Sequence, residues 1–433
     1  DSATDDGNGC TLREAIVSVN SATPQPGCSN TGAAFGTDDE IGFSAAVEGQ
    51  TITLNGSQID IVRPLAINPS GTVQTTIDAN NASRIFEINV NASTDPVELH
   101  RLTLVNGYSN IVRGGAIYAG SNSDLTITDC VFSGNEHAGD GGALSHFNAD
   151  LEIVNSRFSD NVAQIANGGA LWLRDSNVTI SGSVFENNSA GGNSGAISFS
   201  GFSGSQNTLL IQDSIIAGNN AYQQGGGLVV TGGLTTIERS RIENNISQIG
   251  RGGGIYAYGS LQLDQVSLTG NQAMTSNNRK GGGLSLRNGN LTVTNSLVSG
   301  NSSGAGTGIA VDTPFGAVEI TNTTVSGNHG GSAIFFQGST IALNNVTITG
   351  NELPSGGLSS AALVVASSPV PAVTISNTII ANTINQADCF SGNAFAIGAD
   401  TIIEDNQCGG SPTVADPLLM PLADNGGPTL THA

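Results

Sequence analysis

An asparagine recurs through most of this chain at a nearly constant interval, and that period limits the folds open to it. The residues are Asn135, Asn161, Asn188, Asn219, Asn245, Asn271, Asn301, Asn328 and Asn351, spaced by 23 to 31 residues. Three residues before each stands an apolar residue: Phe132, Phe158, Phe185, Ile216, Ile242, Leu268, Val298, Val325 or Ile348. Eight before each stands another: Ile127, Ile153, Ile180, Ile211, Ile237, Leu263, Val293, Ile320 or Leu343. Between them lies a small-residue column, five before each asparagine, that includes Cys130, Ser156, Ser183, Ser214, Ser240, Ser296 and Thr323. Six before, turn formers dominate, among them Asp129, Asn155, Gly182, Asp213, Asn295, Asn322 and Asn345. Two short strands therefore meet at a polar corner in every repeat.

A third strand precedes them. It is led by glycines in Gly114-Gly115-Ala116-Ile117, Gly141-Gly142-Ala143-Leu144 and Gly168-Gly169-Ala170-Leu171, with looser copies at Ile197, Leu228, Ile255, Leu284, Ile309, Ile334 and Leu363. Three short strands per ~27 residues predict one coil of a parallel β-helix, with like residues stacked about 4.8 Å apart. About a dozen coils are expected, right-handed from the general bias of parallel β connections. The stacked asparagines are expected to form an amide ladder. Leucine-rich repeats need a leucine consensus missing here, and propeller blades need longer repeats.

The expected organisation is a cap over residues 1–40, the β-helix over 41–400 and an irregular tail or anchor-like module over 401–433. Thr11-Leu12-Arg13-Glu14 is a capping box, and Leu12, Ala15, Ile16 and Val19 follow helical spacing, so a short amphipathic helix lids the first coil. Cys10 and Cys28 bracket the first segment, Cys389 and Cys408 the last. Two disulfides would suit an oxidising compartment, and four free thiols are the alternative. Cys130 falls in the small-residue column and reads as a buried thiol.

Composition narrows function. Formal net charge is −22 with 13 basic residues, of which Lys280 is the one lysine, so a nucleic-acid partner is disfavoured. No stretch has the ~18 apolar residues of a membrane span. The chain begins at Asp1 with no signal peptide, as expected of a processed chain.

The residues resemble known bacterial families. Cys10-Thr11-Leu12-Arg13-Glu14-Ala15 is similar to the N-terminal Cys-Ser-Leu-Arg-Glu-Ala (CSLREA) module of secreted repeat proteins. Asp416-Pro417-Leu418-Leu419 and Ala423-Asp424-Asn425-Gly426-Gly427-Pro428-Thr429-Leu430 resemble the choice-of-anchor Q module. The glycine-led strands with Phe132–Asn135 and Phe158–Asn161 resemble polymorphic outer-membrane-protein repeats. The resemblance implies a bacterial, exported, surface-associated β-helix, often adhesive.

Candidate chemistry is sparse. Arg251 and Lys280 each precede a Gly-Gly-Gly run, placing them on neighbouring coils with Arg279 and Arg287. A polysaccharide lyase needs a base at the sugar C5 proton and a cation on the uronate, roles Lys280 and Arg251 could fill. Solvated loop charges are the plainer reading. Asp140, Asp160, Asp213 and Asp264 lack the pairing of a glycosidase and suit turns. His100, His137, His146, His329 and His432 share no column. Asp1, Asp5, Asp6 and Asn8 could bind calcium weakly, without a known loop pattern. No other cofactor or metal is expected. Tyr118, Trp172, Tyr256 and Tyr258 follow the glycine corners, either as packing or as a sugar-stacking or partner-binding face. The leading expectation is a non-enzymatic extracellular surface or matrix protein. It would adhere to a surface carbohydrate or protein, or to copies of itself in filaments. The second is a polysaccharide lyase or other carbohydrate-active enzyme.

Overall fold

A computed structural model describes the chain except residues 1–8, 33, 36–38, 70–72, 91–95, 112, 202–206, 275–280, 305, 313–315, 338–339, 354–360, 367–371, 392–394, 399 and 406. The fold is an all-β parallel β-helix of about 12 turns with one short α-helix. It divides into two compact units, Asp1–Gly192 with Ala196–Leu209, and Asn193–Gly195 with Leu210–Ala433.

Within unit 1, strands stack in register as three walls. The first wall contains Ile59–Ile61, Phe86–Ile88, Ile117–Ala119, Leu144–Phe147, Leu171–Arg174 and Ile197–Ser200. The second runs from Glu40–Ile41 to Asn177–Ser181, and the third from Thr51–Thr53 to Val184–Glu186. A fourth, two-residue strand follows each ladder asparagine in several coils, as in Glu136–His137 and Val162–Ala163, so these coils have four strands where the pattern predicts three. In unit 2 some corners smooth out. Leu228–Glu238 runs from the first wall into the second as one strand, with a register shift between Thr231 and Leu234.

The apolar columns face inward and are at most 2% exposed. Phe132, Phe158 and Phe185 form a near-parallel stack, with ring centroids 4.5 and 4.8 Å apart. The nine asparagines are wholly buried. Asn161 donates from Nδ2 to Asn188 Oδ1 at 2.9 Å and to Phe132 O at 3.1 Å, and the same pattern repeats along unit 2. The buried amides thus satisfy one another where the chain turns and no strand partner is available.

A second ladder runs through the small-residue column. Ser156 Oγ accepts from Cys130 N at 3.0 Å and donates to its own coil's Val154 O at 2.8 Å. Ser240 and Ser296 do the same in unit 2. Smallness alone does not explain the column: a hydroxyl there serves one donor and one acceptor.

Two left-handed corners flank the third-wall strand. One carries Asp129 (φ 54°), Asn155 (φ 49°), Asn295 (φ 51°) and Asn322 (φ 49°), where Arg101 (φ 51°), Arg239 (φ 46°) and Gln265 (φ 56°) are departures. The other immediately precedes each ladder asparagine and holds Gly134 (φ 64°), Asp160 (φ 57°), Asn187 (φ 55°) or Gly270 (φ 65°). Glycine, asparagine and aspartate tolerate this region best, which explains their recurrence. In the coil after Asn351, Asn382 (φ 54°) occupies this corner, and Thr383 follows where the ladder asparagine would stand. The ladder therefore stops at Asn351.

The helix α1, Leu12–Ser21, starts at the capping box, with Thr11 N donating to Glu14 Oε2 and Glu14 N to Thr11 Oγ1. It buries Leu12, Ile16 and Val19. Its polar side chains cover the edge of Ile59–Ile61. Asn20 Nδ2 donates to Asp60 O at 2.7 Å and Asn20 Oδ1 accepts from Val62 N at 3.0 Å, while Arg13 donates to Gln58 O at 2.7 Å. Disulfides join Cys10 to Cys28 and Cys389 to Cys408.

The coil pattern continues past residue 400 through Ile402–Ile403. The last residues, expected as an irregular tail, make a small antiparallel turn, Ala423 against Thr431. They bind back on unit 2 through His432 Nε2 and Ser326 Oγ at 2.9 Å, and Thr429 Oγ1 and Asn295 O at 3.4 Å.

Candidate functional site

The outer face of the first wall gathers the charged and aromatic side chains. The glycine pair makes this possible. A Cβ at Gly115 would stand 2.1 Å from Gly142 O, so only glycine lets the incoming loop lie against the next coil. With the loops drawn in so closely, several residues on this face are covered: Ser145 (0% exposed), Trp172 (8%), Tyr256 (7%) and Ser285 (1%).

In unit 1 the outward register runs Asp60, Glu87, Tyr118, Ser145, Trp172. Arg113 enters from the loop before Tyr118 and reaches two coils along. Its Cζ lies 4.3 Å from the Trp172 ring centroid, and its Nε donates to Asp140 Oδ2 at 3.1 Å. Asp140 Oδ1 accepts from Asn167 N and Nδ2. Arg84 is buried beneath this face. It donates to Gly114 O at 2.9 Å, Gln58 Oε1 at 2.7 Å and Glu87 Oε2 at 2.9 Å, and lies 5.5 Å from the Tyr118 ring centroid. Burial lowers the Arg84 pKa, opposed by Glu87, and raises that of the Tyr118 phenol, aided by Glu87. The Tyr118 ring tilts against Phe147 at 5.8 Å. Phe147 pairs in register with the exposed Arg174 one coil on.

In unit 2 Arg251 enters before Tyr256, as Arg113 enters before Tyr118. Its Nη1 meets Asp312 Oδ2 at 3.4 Å, two coils along, and Ser285 lies on the coil between. Tyr258 and Arg287 are exposed, next along their strands after the paired residues Ala257 and Leu286. Arg279 and Lys280 lie outside the described residues, as do Asp1, Asp5, Asp6 and Asn8. Of the expected four-base cluster the structure places Arg251 and Arg287, on successive coils.

The remaining candidates are scattered. Asp160 (φ 57°) and Asp213 (φ 50°) occupy left-handed corners. Asp264 accepts from Thr294 and Asn295. His146 is inside its coil, near Ser176 Oγ and Ser123 O, and burial pushes it down to about 4. His100 pairs with Glu98 and His329 with Glu352. His137 is 5% exposed, and its Nδ1 accepts from Gly139 N. Cys130 is buried, its thiol pushed up to about 12 by burial. Among the described residues no three His, Cys, Asp or Glu side chains form a set that could hold a metal ion. No described helix is long and apolar enough to cross a membrane.

Arg84, Arg113, Phe147, Arg174 and Asp312 were not singled out as site residues from sequence. A signal existed. Arg-Gly-Gly-x-Ile-Tyr-Ala occurs at 113–119 and again at 251–257, and each copy is followed one coil later by Gly-Gly-x-Leu-Ser.

The family model for the right-handed β-helix region matches residues 65–273, 148–316 and 200–384, spanning 65–384 in all. The chain belongs to the right-handed β-helix family. This β-helix is 38% identical over 94 residues to the probable autotransporter YfaL of Escherichia coli (strain K12), covering 20% of the chain and 7% of that protein. It is 24% identical over 185 residues to metabotropic glutamate receptor-like protein R of Dictyostelium discoideum, covering 42% of the chain and 11% of that protein. It therefore spans only a small part of either relative. Among solved structures, the periplasmic alginate epimerase AlgG aligns with a TM-score of 0.38 and 11% identity, over 79% of this chain and 76% of that one.

Proposed function

We propose that this β-helix is an exported bacterial surface protein that adheres to a polymeric ligand through the outer face of its first wall, without chemistry on that ligand. One observation carries the reading: the carboxylates on that face are already engaged. Asp140 is bonded to Arg113 and Asn167, Glu87 to Arg84 and Gln58, and Asp312 to Arg251. A general base needs a lone pair within reach of a substrate proton, whereas these lone pairs hold the protein's own arginines. Fixed donors beside aromatic rings suit recognition instead. Export is supported by the two disulfides, by the autotransporter likeness and by the end motifs similar to bacterial secreted modules.

The competing reading is a polyuronate lyase acting through Lys280, with Arg251 on the uronate. One panel separates the two. Purified protein is incubated with acidic and neutral polysaccharides, and both retention on the polymer and new chain ends are measured. Retention without new ends is expected. Cleavage abolished by Lys280→Ala would overturn the adhesive reading.

A further inference from the structure

We propose that each unit carries one copy of a subsite for a carboxylated sugar polymer, built on Arg113 and Arg174 in unit 1 and on Arg251 and Arg287 in unit 2. The inference deepens the adhesive reading and rests on it.

The first support is repetition. Arg113 and Arg251 open the same heptapeptide, each reaches two coils along, and each coil between carries a buried serine, Ser145 or Ser285. In both units an outward aromatic is followed one coil later by an exposed arginine: Phe147 then Arg174, Tyr258 then Arg287. The two copies are not identical, since the second pair is displaced by one coil relative to the reaching arginine.

The second support is charge. A chain of net charge −22 has 13 bases, and four of them stand in these two places. The third is donor geometry. Arg113 spends Nε on Asp140 and rests against Trp172, yet its side chain is 45% exposed, and among the described residues its two terminal amino groups make no hydrogen bond. A guanidinium held there offers those amino groups as a planar two-donor fork, the shape that grips a carboxylate bidentately. Among the described residues Arg251 Nη1 pairs with Asp312 Oδ2 at 3.4 Å, and no hydrogen bond is made by its Nη2. Ser285 Oγ has no hydrogen-bond partner among the described residues.

The aromatics choose between sources of carboxylate. A uronate sugar places a flat C–H face next to its carboxylate and can stack on Phe147 or Tyr258 while it pairs with arginine. A glutamate side chain has no such face. The ligand is therefore a uronate-type polymer and not an acidic peptide.

The test uses the full chain and three probes: oligogalacturonate, its methyl-esterified form and polyglutamate of matched charge. Binding is followed by calorimetry at two salt concentrations. Oligogalacturonate is expected to bind, less tightly at high salt, with the ester and polyglutamate each weaker by about tenfold. Arg113→Gln with Arg174→Gln, and Arg251→Gln with Arg287→Gln, should each halve the number of binding sites with unchanged circular dichroism, and all four changes together should weaken binding by about tenfold. Arg157→Gln, on the third wall beside Glu186, should bind as the parent does. Equal affinity for ester or polyglutamate, or an undiminished number of sites in both double variants, would overturn the subsite. A neutral polysaccharide bound regardless of all four arginines would sink the subsite and leave adhesion standing. Failure to bind any polymer would remove both.

Discussion

Asn245 shows what one ladder residue contributes. Its Nδ2 donates to Ile216 O and Asn271 Oδ1, and its Oδ1 accepts from Asn219 N and Nδ2, all at 2.9 Å. Asn245→Ala takes the acceptor from Asn219 N and a donor from Ile216 O on one neighbouring coil, and a donor from Asn271 Oδ1 on the other. We expect a loss of about 2–4 kcal/mol, read from the denaturant midpoint of unit 2. Gln265 is the opposite case, a long side chain at φ 56° in a corner that mostly holds asparagine or aspartate. Gln265→Asn should stabilise by up to about 1 kcal/mol, and a lower midpoint would refute the corner argument. His146 adds a pH dependence. Unfolded, it takes up a proton near its ordinary 6.5; folded, it stays neutral down to about 4. The unfolded state thus binds more protons between those values. Its contribution is whole above pH 6.5 and is lost as pH falls from there through 4, about 3 kcal/mol in all. Denaturation midpoints of the parent and of His146→Gln, measured across that window, should converge toward acid pH.

At the scale of elements, α1 does more than bury an apolar stripe. Asn20 and Arg13 take the place of a neighbouring strand for Gln58 O, Asp60 O and Val62 N. An uncovered parallel edge invites pairing with another chain. Arg13→Ala with Asn20→Ala should keep the helix, whose capping box and buried face are untouched, yet sediment as concentration-dependent oligomers. A monomer at all concentrations would show that the edge needs no cover. The helix itself was readable from Thr11, Glu14 and the spacing of Leu12, Ile16 and Val19, because caps and amphipathic faces are local. The edge cover was not, since it joins residues about 40 positions apart that share no motif.

For the whole molecule, periodicity decided what could be read. The asparagine, phenylalanine and glycine columns were visible because each coil repeats one environment, so one physical demand is written many times. The hydroxyl ladder was visible only as smallness, because valine and cysteine also fit where serine adds two hydrogen bonds. Of the reaching arginines, Arg251 stood out by its place before a glycine run and Arg113 did not, and the reach of neither was legible, since it depends on side-chain length across two coils. Quasi-independence of coils has a direct test. Removing Asn328–Gly350 joins Gly327 to Asn351, a glycine-asparagine corner like the one removed. The shortened chain should keep its β-sheet signal and fold cooperatively. Removal of half that length should not, because it sets apolar columns against polar ones.

The Asn161–Asn188 bond joins one coil to the next, and so do the strand ladders of each wall. Inside a unit, tension applied at an end coil does not load all these bonds together in shear. It concentrates on the outermost coil, which peels away while its neighbour stays whole. Each rupture would release about 27 residues, or roughly 90 Å of slack chain at full extension. A unit built this way yields in repeated small steps and absorbs work at each one, so its ends can be pulled some distance apart before the last coil gives way.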